Sequence, residues 1–454
     1  MIVDILRSAL GWIFCAALIY APFAYGGTTP ASIQTINWLV LAALILWIIE
    51  LIVSRRMPRC PGVLLFLTCA LIGIGGWMVI NSKSIYDSDL HALVPLRNFA
   101  PHLPGSVDHA VSTEWMIRAG MLLGATLLIA DLSQSDRWYL RLWWVIGLVA
   151  GSIAFLGLLQ KATGAQMIFW QSAPPWGVST FFATFYYHAN AGAFLNLVWP
   201  PTAGLAIRAF TEHCHPAMRA VWISMFVLTV AAVQANTSRV AQLIALLLLI
   251  AICFQFGPVL LARLSHARTT VAVAGTVVIL LTLIALAQTT HLEQVVVRWQ
   301  SAGEQIANDA RWRATRVAVS MLPDVGPCGF GPGTFRVVFP YYNLVSANRV
   351  RGTWRFLHED YVQTVLEWGW LGGGLWALVF FGGIAAGIYN YKRHAATDWS
   401  QRQRFLQPLI IIALVGVALH ALVDFPLQIA SIQLYVATYL GLCWGSGTWF
   451  SGQK

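Results

Sequence analysis

A few polar residues stand out in an otherwise apolar chain, and their types could do chemistry together. His358, Glu359 and Asp360 are consecutive, and His420 and Asp424 are spaced i,i+4. Tyr187, His188 and Asn190 form a third group, and Asn236-Thr237-Ser238-Arg239 a fourth. Imidazole titrates near neutral pH and can take a proton from a hydroxyl there. The segment from about 289 to 360 carries Arg298, Arg311, Arg313, Arg316, Arg336, Arg349, Arg351 and Arg355, with no lysine. Arginine stays charged and presents a planar fork that pairs bidentately with phosphate, whereas lysine is a point charge. The choice points to a phosphorylated ligand. Each residue also has an ordinary role. Asn and Ser cap helices, acids suit a helix N-terminus, and arginines touch lipid headgroups.

The elements that must position these residues are transmembrane helices. The chain of 454 residues is 58% hydrophobic and only 10% charged, against about 25% charged in a soluble domain. Its mean hydropathy is +0.67. The 21 tryptophans suit a bilayer, where indoles settle at headgroup level. Apolar spans fall near 5–25, 33–53, 61–80, 114–132, 142–160, 187–207, 220–236, 240–262, 270–288, 361–388, 405–424 and 431–449. The expected fold is all-α and polytopic, a single membrane domain over 1–454 with about twelve spans and a long outer loop at 289–360. Placing the N-terminus inside puts Arg55, Arg56, Arg59, Arg137, Arg141, Arg208, Arg219, Arg263, Arg268, Lys392, Arg393, Arg402 and Arg404 in inner loops. The short outer loops then hold only Lys83, Arg97, Lys161 and Arg239, as the positive-inside rule requires. The formal charge of +10 is explained the same way, and no nucleic-acid module is present. On this topology the four polar groups gather at the outer ends of helices, with Arg118 shallow in the fourth span. Ionisable residues at membrane depth are costly and mark functional paths.

Three weaker signals accompany them. Cys328-Gly329-Phe330-Gly331-Pro332-Gly333-Thr334-Phe335 looks like a glycine-rich phosphate loop, though it has neither the lysine of a P-loop nor a preceding strand. Asp87-Ser88-Asp89 could offer carboxylates to a divalent metal, but hard cations want several oxygens at once. The seven cysteines show no CxxC spacing, so neither a disulfide framework nor a zinc site is expected.

The chain resembles the O-antigen ligase and polymerase superfamily of bacterial envelope glycosyltransferases. The ligase signature is a histidine, then Asn, Ser or Gln, nine residues, a glycine, two residues and a small residue. His358-Glu359, Asp360 through Trp368, Gly369, Trp370-Leu371 and Gly372 reproduce that spacing, with Glu359 in the amide-or-hydroxyl position. Phe185 through Asn196 resembles the family's aromatic-Asn-Ala stretch, and Thr237-Ser238-Arg239 its Ser-Arg turn. Asp309 through Tyr342 resembles the run from the loop arginine to an aromatic patch, and Leu422-Val423-Asp424-Phe425 the late LVDF. The match spans roughly 185 to 445.

The resemblance implies a glycosyltransferase C-like membrane fold, with no cofactor and no metal. The donor would be a glycan on undecaprenyl pyrophosphate, and the acceptor a lipid A-core sugar. A growing glycan or a protein hydroxyl would replace that acceptor in a polymerase or a protein O-oligosaccharyltransferase. The site would face the periplasm from the bacterial inner membrane. Matching motifs assigns catalysis to His358 as base and to Arg239, Arg311 and Arg313 on the pyrophosphate. Arg316, Arg355, His188, Asn190, Asp424 and His420 become substrate-binding residues. A polysaccharide or lipid transporter is the alternative of a different class, because polar groups also line transport paths.

Overall fold

The computed structural model describes residues 1–90, 92–97, 99–172, 180–211, 215–264 and 310–449. The expected span at 270–288, the loop residues 289–309 with Arg298 and Asp309, and Cys214 and Arg268 lie outside the described residues.

The described chain is mostly helical. Helices α1 (Ile2–Phe23), α2 (Pro30–Ser54), α3 (Gly62–Ile80), α4 (His109–Leu132), α5 (Asp136–Ala162), α6 (His188–Thr211), α7 (Pro216–Ala235) and α8 (Arg239–Leu264) come first. Two short helices follow, α9 (Ala310–Ser320) and α10 (Phe335–Val345). Then come α11 (Asp360–His394), α12 (Gln401–His420) and α13 (Ala430–Gly445). A hairpin of β1 (Ser84–Asp87) and β2 (Ala92–Pro95) lies between α3 and α4.

Helices α1–α8 and α11–α13 each overlap an expected span. Among the described residues, nine of them are long and apolar enough to cross a membrane, which makes this a polytopic membrane protein. The two that differ are α6 and α13. Helix α13 has 16 residues, about 24 Å at 1.5 Å per residue, against about 30 Å of hydrocarbon. Both are buried around nearly their whole circumference, so the polar residues of α6, Asn190, Asn196 and Thr202, face protein and not lipid. Helix α6 packs against α5, α7, α8 and α12, and α13 against α1, α4, α11 and α12.

Asp87 takes part in a turn. Its Oδ1 accepts from the N–H groups of Asp89 (2.8 Å) and Leu90 (3.1 Å), so it closes the hairpin.

The end of the bundle away from the polar groups is tied by charge. Glu50 and Asp131 are each 1% exposed, and Arg56 reaches both, with Nη1 at 2.6 Å from Asp131 and Nη2 at 2.5 Å from Glu50. Arg7 adds Nη2 to the Asp131 carbonyl at 3.0 Å. Buried carboxylates persist only when met this way.

The segment expected as a plain outer loop folds on its own small core. Ala314, Val317 and Ala318 of α9 pack with Phe335, Val338 and Phe339 of α10 and with Leu366 of α11. This subdomain is locked to α11 by a break in that helix. Gly369 adopts φ 70° and ψ −177° inside α11, which interrupts the ladder. The carbonyls released, Leu366 O and Glu367 O, accept from Phe330 N (2.9 Å) and Gly331 N (3.0 Å) of the glycine-rich loop. In return Leu371 N donates to Pro327 O at 3.0 Å. The glycine loop is therefore a splice into a broken helix, and the N–H groups of Phe330 and Gly331 are spent there rather than on a phosphate.

This geometry requires glycine at 369, because a Cβ there would lie 2.2 Å from Pro327 O and the backbone region is one only glycine adopts readily. Gly369→Ala should destabilise the protein by at least about 1–3 kcal/mol, read as a lowered Tm in detergent. An unchanged Tm would contradict the splice.

Candidate functional site

The site forms where the starts of α6, α9 and α11 meet the turn after α12. Its centre is Asp424, whose side chain is 3% exposed. His358 Nδ1 lies 2.9 Å from Asp424 Oδ1. Tyr187 Oη donates to Asp424 Oδ2 at 3.4 Å, and Arg311 Nη1 stands 3.8 Å from the same oxygen. Arg311 Nη2 also donates to the Tyr187 hydroxyl. Burial pushes the Asp424 carboxyl up, but the His358 hydrogen bond and the charges of His358, Arg311 and His420 outweigh it and hold the group below its ordinary value. An ionised carboxylate only accepts, so Nδ1 of His358 carries the hydrogen, and in the neutral form of the ring Nε2 is the nitrogen with the lone pair.

Aromatic rings fix these groups. Phe425 stacks on Tyr187 with centroids 5.8 Å apart and meets the His358 ring edge-on at 4.8 Å. Trp354 contacts the imidazole from another side at 5.6 Å. Asp360 clamps the two chain segments that carry the pair. Its N–H donates to Ala421 O (2.9 Å), while its carboxylate accepts from Leu427 N (2.8 Å) and Gln428 Nε2 (2.8 Å). A second relay supports the backbone before His358. Gln363 Oε1 accepts from Leu357 N at 2.8 Å, and Gln363 Nε2 donates to Glu367 at 3.0 Å. Glu367 in turn accepts from Phe335 N at 3.3 Å, which links the relay to the glycine loop.

Glu359 is the N-cap of α11, its carboxylate accepting from Val362 N. Burial raises its carboxyl, tempered by the N–H groups of Val362 and Tyr361. The position is thus a capping position, and a carboxylate there satisfies the orphan donors of the first turn.

The other expected residues divide. His188 is buried at the start of α6 and touches Tyr187 edge-on at 5.0 Å. Asn190 is buried in the same turn. Asn236 ties the polar turn before α8 to this place, donating to His188 O at 2.9 Å and accepting from Ser238 N at 2.8 Å. Arg239 is the first residue of α8 and half-buried. Helix α12 ends at His420, so the expected helical face shared with Asp424 stops short. Asp424 lies in the turn beyond, its N–H still donating to His420 O at 3.1 Å. His420 is 1% exposed, and neither ring nitrogen has a hydrogen-bond partner. Arg355 is exposed, with its guanidinium over Phe356 at 5.6 Å.

Arg313 and Arg316 are exposed on α9, away from the cluster that Arg311 joins. The separation has a simple cause. Residues 311, 314 and 318 share one face at i, i+3 and i+7, and Ala314 and Ala318 are fully buried. That apolar stripe could have singled out Arg311 beforehand. Tyr187, grouped in the sequence with His188 and Asn190 but given no role there, bridges Arg311 and Asp424.

The arrangement can accept a proton at His358 Nε2 and present a guanidinium beside it. Because the folded-state value of Asp424 is depressed, its contribution to stability is present above the ordinary carboxylate value near ~3.9 and lost as pH falls through the lower folded value. The Tm gap between wild type and Asp424→Asn should therefore hold from neutral pH down to about pH 4 and narrow below it. A gap that closes well above pH 5 would contradict the ionised pair.

In comparisons with known proteins, no family model matches this chain and no curated protein matches it.

Proposed function

We propose that this chain is a metal-independent, inverting glycosyltransferase of the O-antigen ligase type. It moves a glycan from undecaprenyl pyrophosphate to an acceptor hydroxyl, a lipid A-core sugar. On this reading the chain crosses the bacterial inner membrane twelve times, and the His358 end faces the periplasm.

The observation that carries the reading is the His358–Asp424 pair with Arg311 beside it. Nε2 of His358 takes the proton of the acceptor hydroxyl as its oxygen bonds to the anomeric carbon. The bond from that carbon to the pyrophosphate oxygen breaks on the opposite face, and undecaprenyl pyrophosphate leaves with the electron pair. Attack opposite the leaving group inverts the anomeric centre. Arg311 and Arg239 meet the charge that develops on the leaving group. Fixed cations near low-dielectric lipid do so without reorganising at the moment of reaction. Asp424 holds the imidazole in the tautomer that leaves Nε2 basic and stabilises the imidazolium formed. The motif spacing from His358 to Gly372 supports ligase chemistry, and Gly369 within it supports the helix break that braces the site.

The test is transfer of a lipid-linked glycan to lipid A-core by the purified protein in vesicles. His358→Ala should lower the rate by about 10²–10⁴-fold, the span of a lost general base. Arg239→Lys should be impaired, since an ammonium cannot pair bidentately. His358→Ala turning over near the wild-type rate would refute the reading.

A further inference from the structure

A cavity of about 420 Å³ lies between α4, α11 and α13, within the ~300–1,000 Å³ of ordinary ligand pockets. Its walls are apolar and aromatic, including Trp115, Trp368, Trp376, Phe380 and Leu440. It reaches the surface of the bundle at Trp370 (59% exposed) and Phe381 (44% exposed), where lipid chains would pass.

Arg118 lines this cavity and is 6% exposed. One Nη donates to Gln428 O at 2.8 Å, and its plane lies over Trp115 at 4.8 Å. Its Nε has no hydrogen-bond partner. Among the described residues no carboxylate lies within ion-pair distance: Glu114, one turn earlier on α4 and the acid whose charge acts on Arg118, is 53% exposed and stands 3.8 Å from Arg336, while Glu367, elsewhere on the cavity wall, is held by Gln363 and Phe335 N. A buried guanidinium with an unused donor and no carboxylate in contact is costly, and an anion relieves that cost. Arg118 is also coupled to the site. Gln428, its acceptor, donates to Asp360, and Phe356 bridges Trp115 (6.2 Å) and Phe425 (5.4 Å).

We propose that this cavity holds the isoprenoid chain of a polyprenyl lipid, with Arg118 on its phosphate. The inference rests on the reading above, in which the donor is lipid-linked, and adds where the lipid sits. One cation at the head of a single apolar cleft fits a one-chain phosphate lipid better than a diacyl one. The aromatic walls suit a branched, unsaturated chain.

The experiment uses the full-length protein in detergent, with native mass spectrometry reading bound lipid. The probes are undecaprenyl phosphate, phosphatidylglycerol and inorganic phosphate. Two variants are compared with wild type. Arg118→Gln removes the charge, and Gly374→Leu adds bulk at the rim, where a Cβ meets no atom within 4 Å. Each should weaken undecaprenyl phosphate binding about tenfold. Undecaprenyl phosphate bound equally well by both variants would overturn the proposal. So would phosphatidylglycerol binding with the same strength and the same sensitivity, which would make the occupant bulk lipid. Dependence of inorganic phosphate on Arg118, with undecaprenyl phosphate indifferent to Gly374→Leu, would also overturn it. The probe carries no glycan, so failure of the transferase reading would appear separately. In that case wild type would not transfer glycan while lipid binding kept its dependence on both variants.

Discussion

A carboxylate removed from water must be met by charge and hydrogen bonds, and at Asp424 that requirement draws the site together. The groups that answer it come from distant parts of the chain. His358 is 66 residues away in sequence and Tyr187 is 237. Arg311 arrives on a short helix outside the long apolar ones. None of the three could satisfy Asp424 unless α6, the α9–α10 subdomain and α11 ended at the same depth. The carboxylate thus works as a constraint on how these ends are arranged, as well as fixing the tautomer of His358. The same physics operates at the far end of the bundle, where Glu50 and Asp131 are met by Arg56.

The precision of that convergence depends on backbone groups as much as on side chains. Breaking α11 at Gly369 frees two carbonyls, and the glycine-rich loop supplies the donors. The splice anchors the subdomain that carries Arg311 to the helix whose start carries His358. Asp360 then fastens that start to the turn bearing Asp424. Residues adjacent to the imidazole in sequence therefore act as fasteners. Glu359 caps the helix, Asp360 clamps the turn, and Gln363 and Glu367 brace the chain before His358.

Helix positions were legible in the sequence because a run of apolar residues is nearly sufficient to specify a membrane helix. The gathering of His358, Asp424, His188 and Asn190 followed from charge bias and span counting. Less legible was what each polar residue does once gathered. The glycine loop reads as an anion cradle until the broken helix is seen to use its donors. His420 and Asp424 read as one helical face, yet only Asp424 faces the pair, and His420 stays buried without a partner. Among the α9 arginines the apolar stripe through Ala314 and Ala318 was available to choose Arg311. Tyr187 depends on tertiary approach alone, and local pattern does not encode that. The hairpin around Asp87 and the small core of α9 and α10 were hidden for the same reason, being short elements defined by what they pack on.

On the proposed transferase reading, the central claim is that Asp424 acts through His358, as one unit. A double-mutant cycle on single-turnover glycan transfer tests it, comparing His358→Ala, Asp424→Asn and the two combined. The predicted result is strong non-additivity, with the double variant no slower than His358→Ala alone. Losses that multiply, each substitution costing its full factor in the presence of the other, would mean that the two residues act independently and would contradict the account.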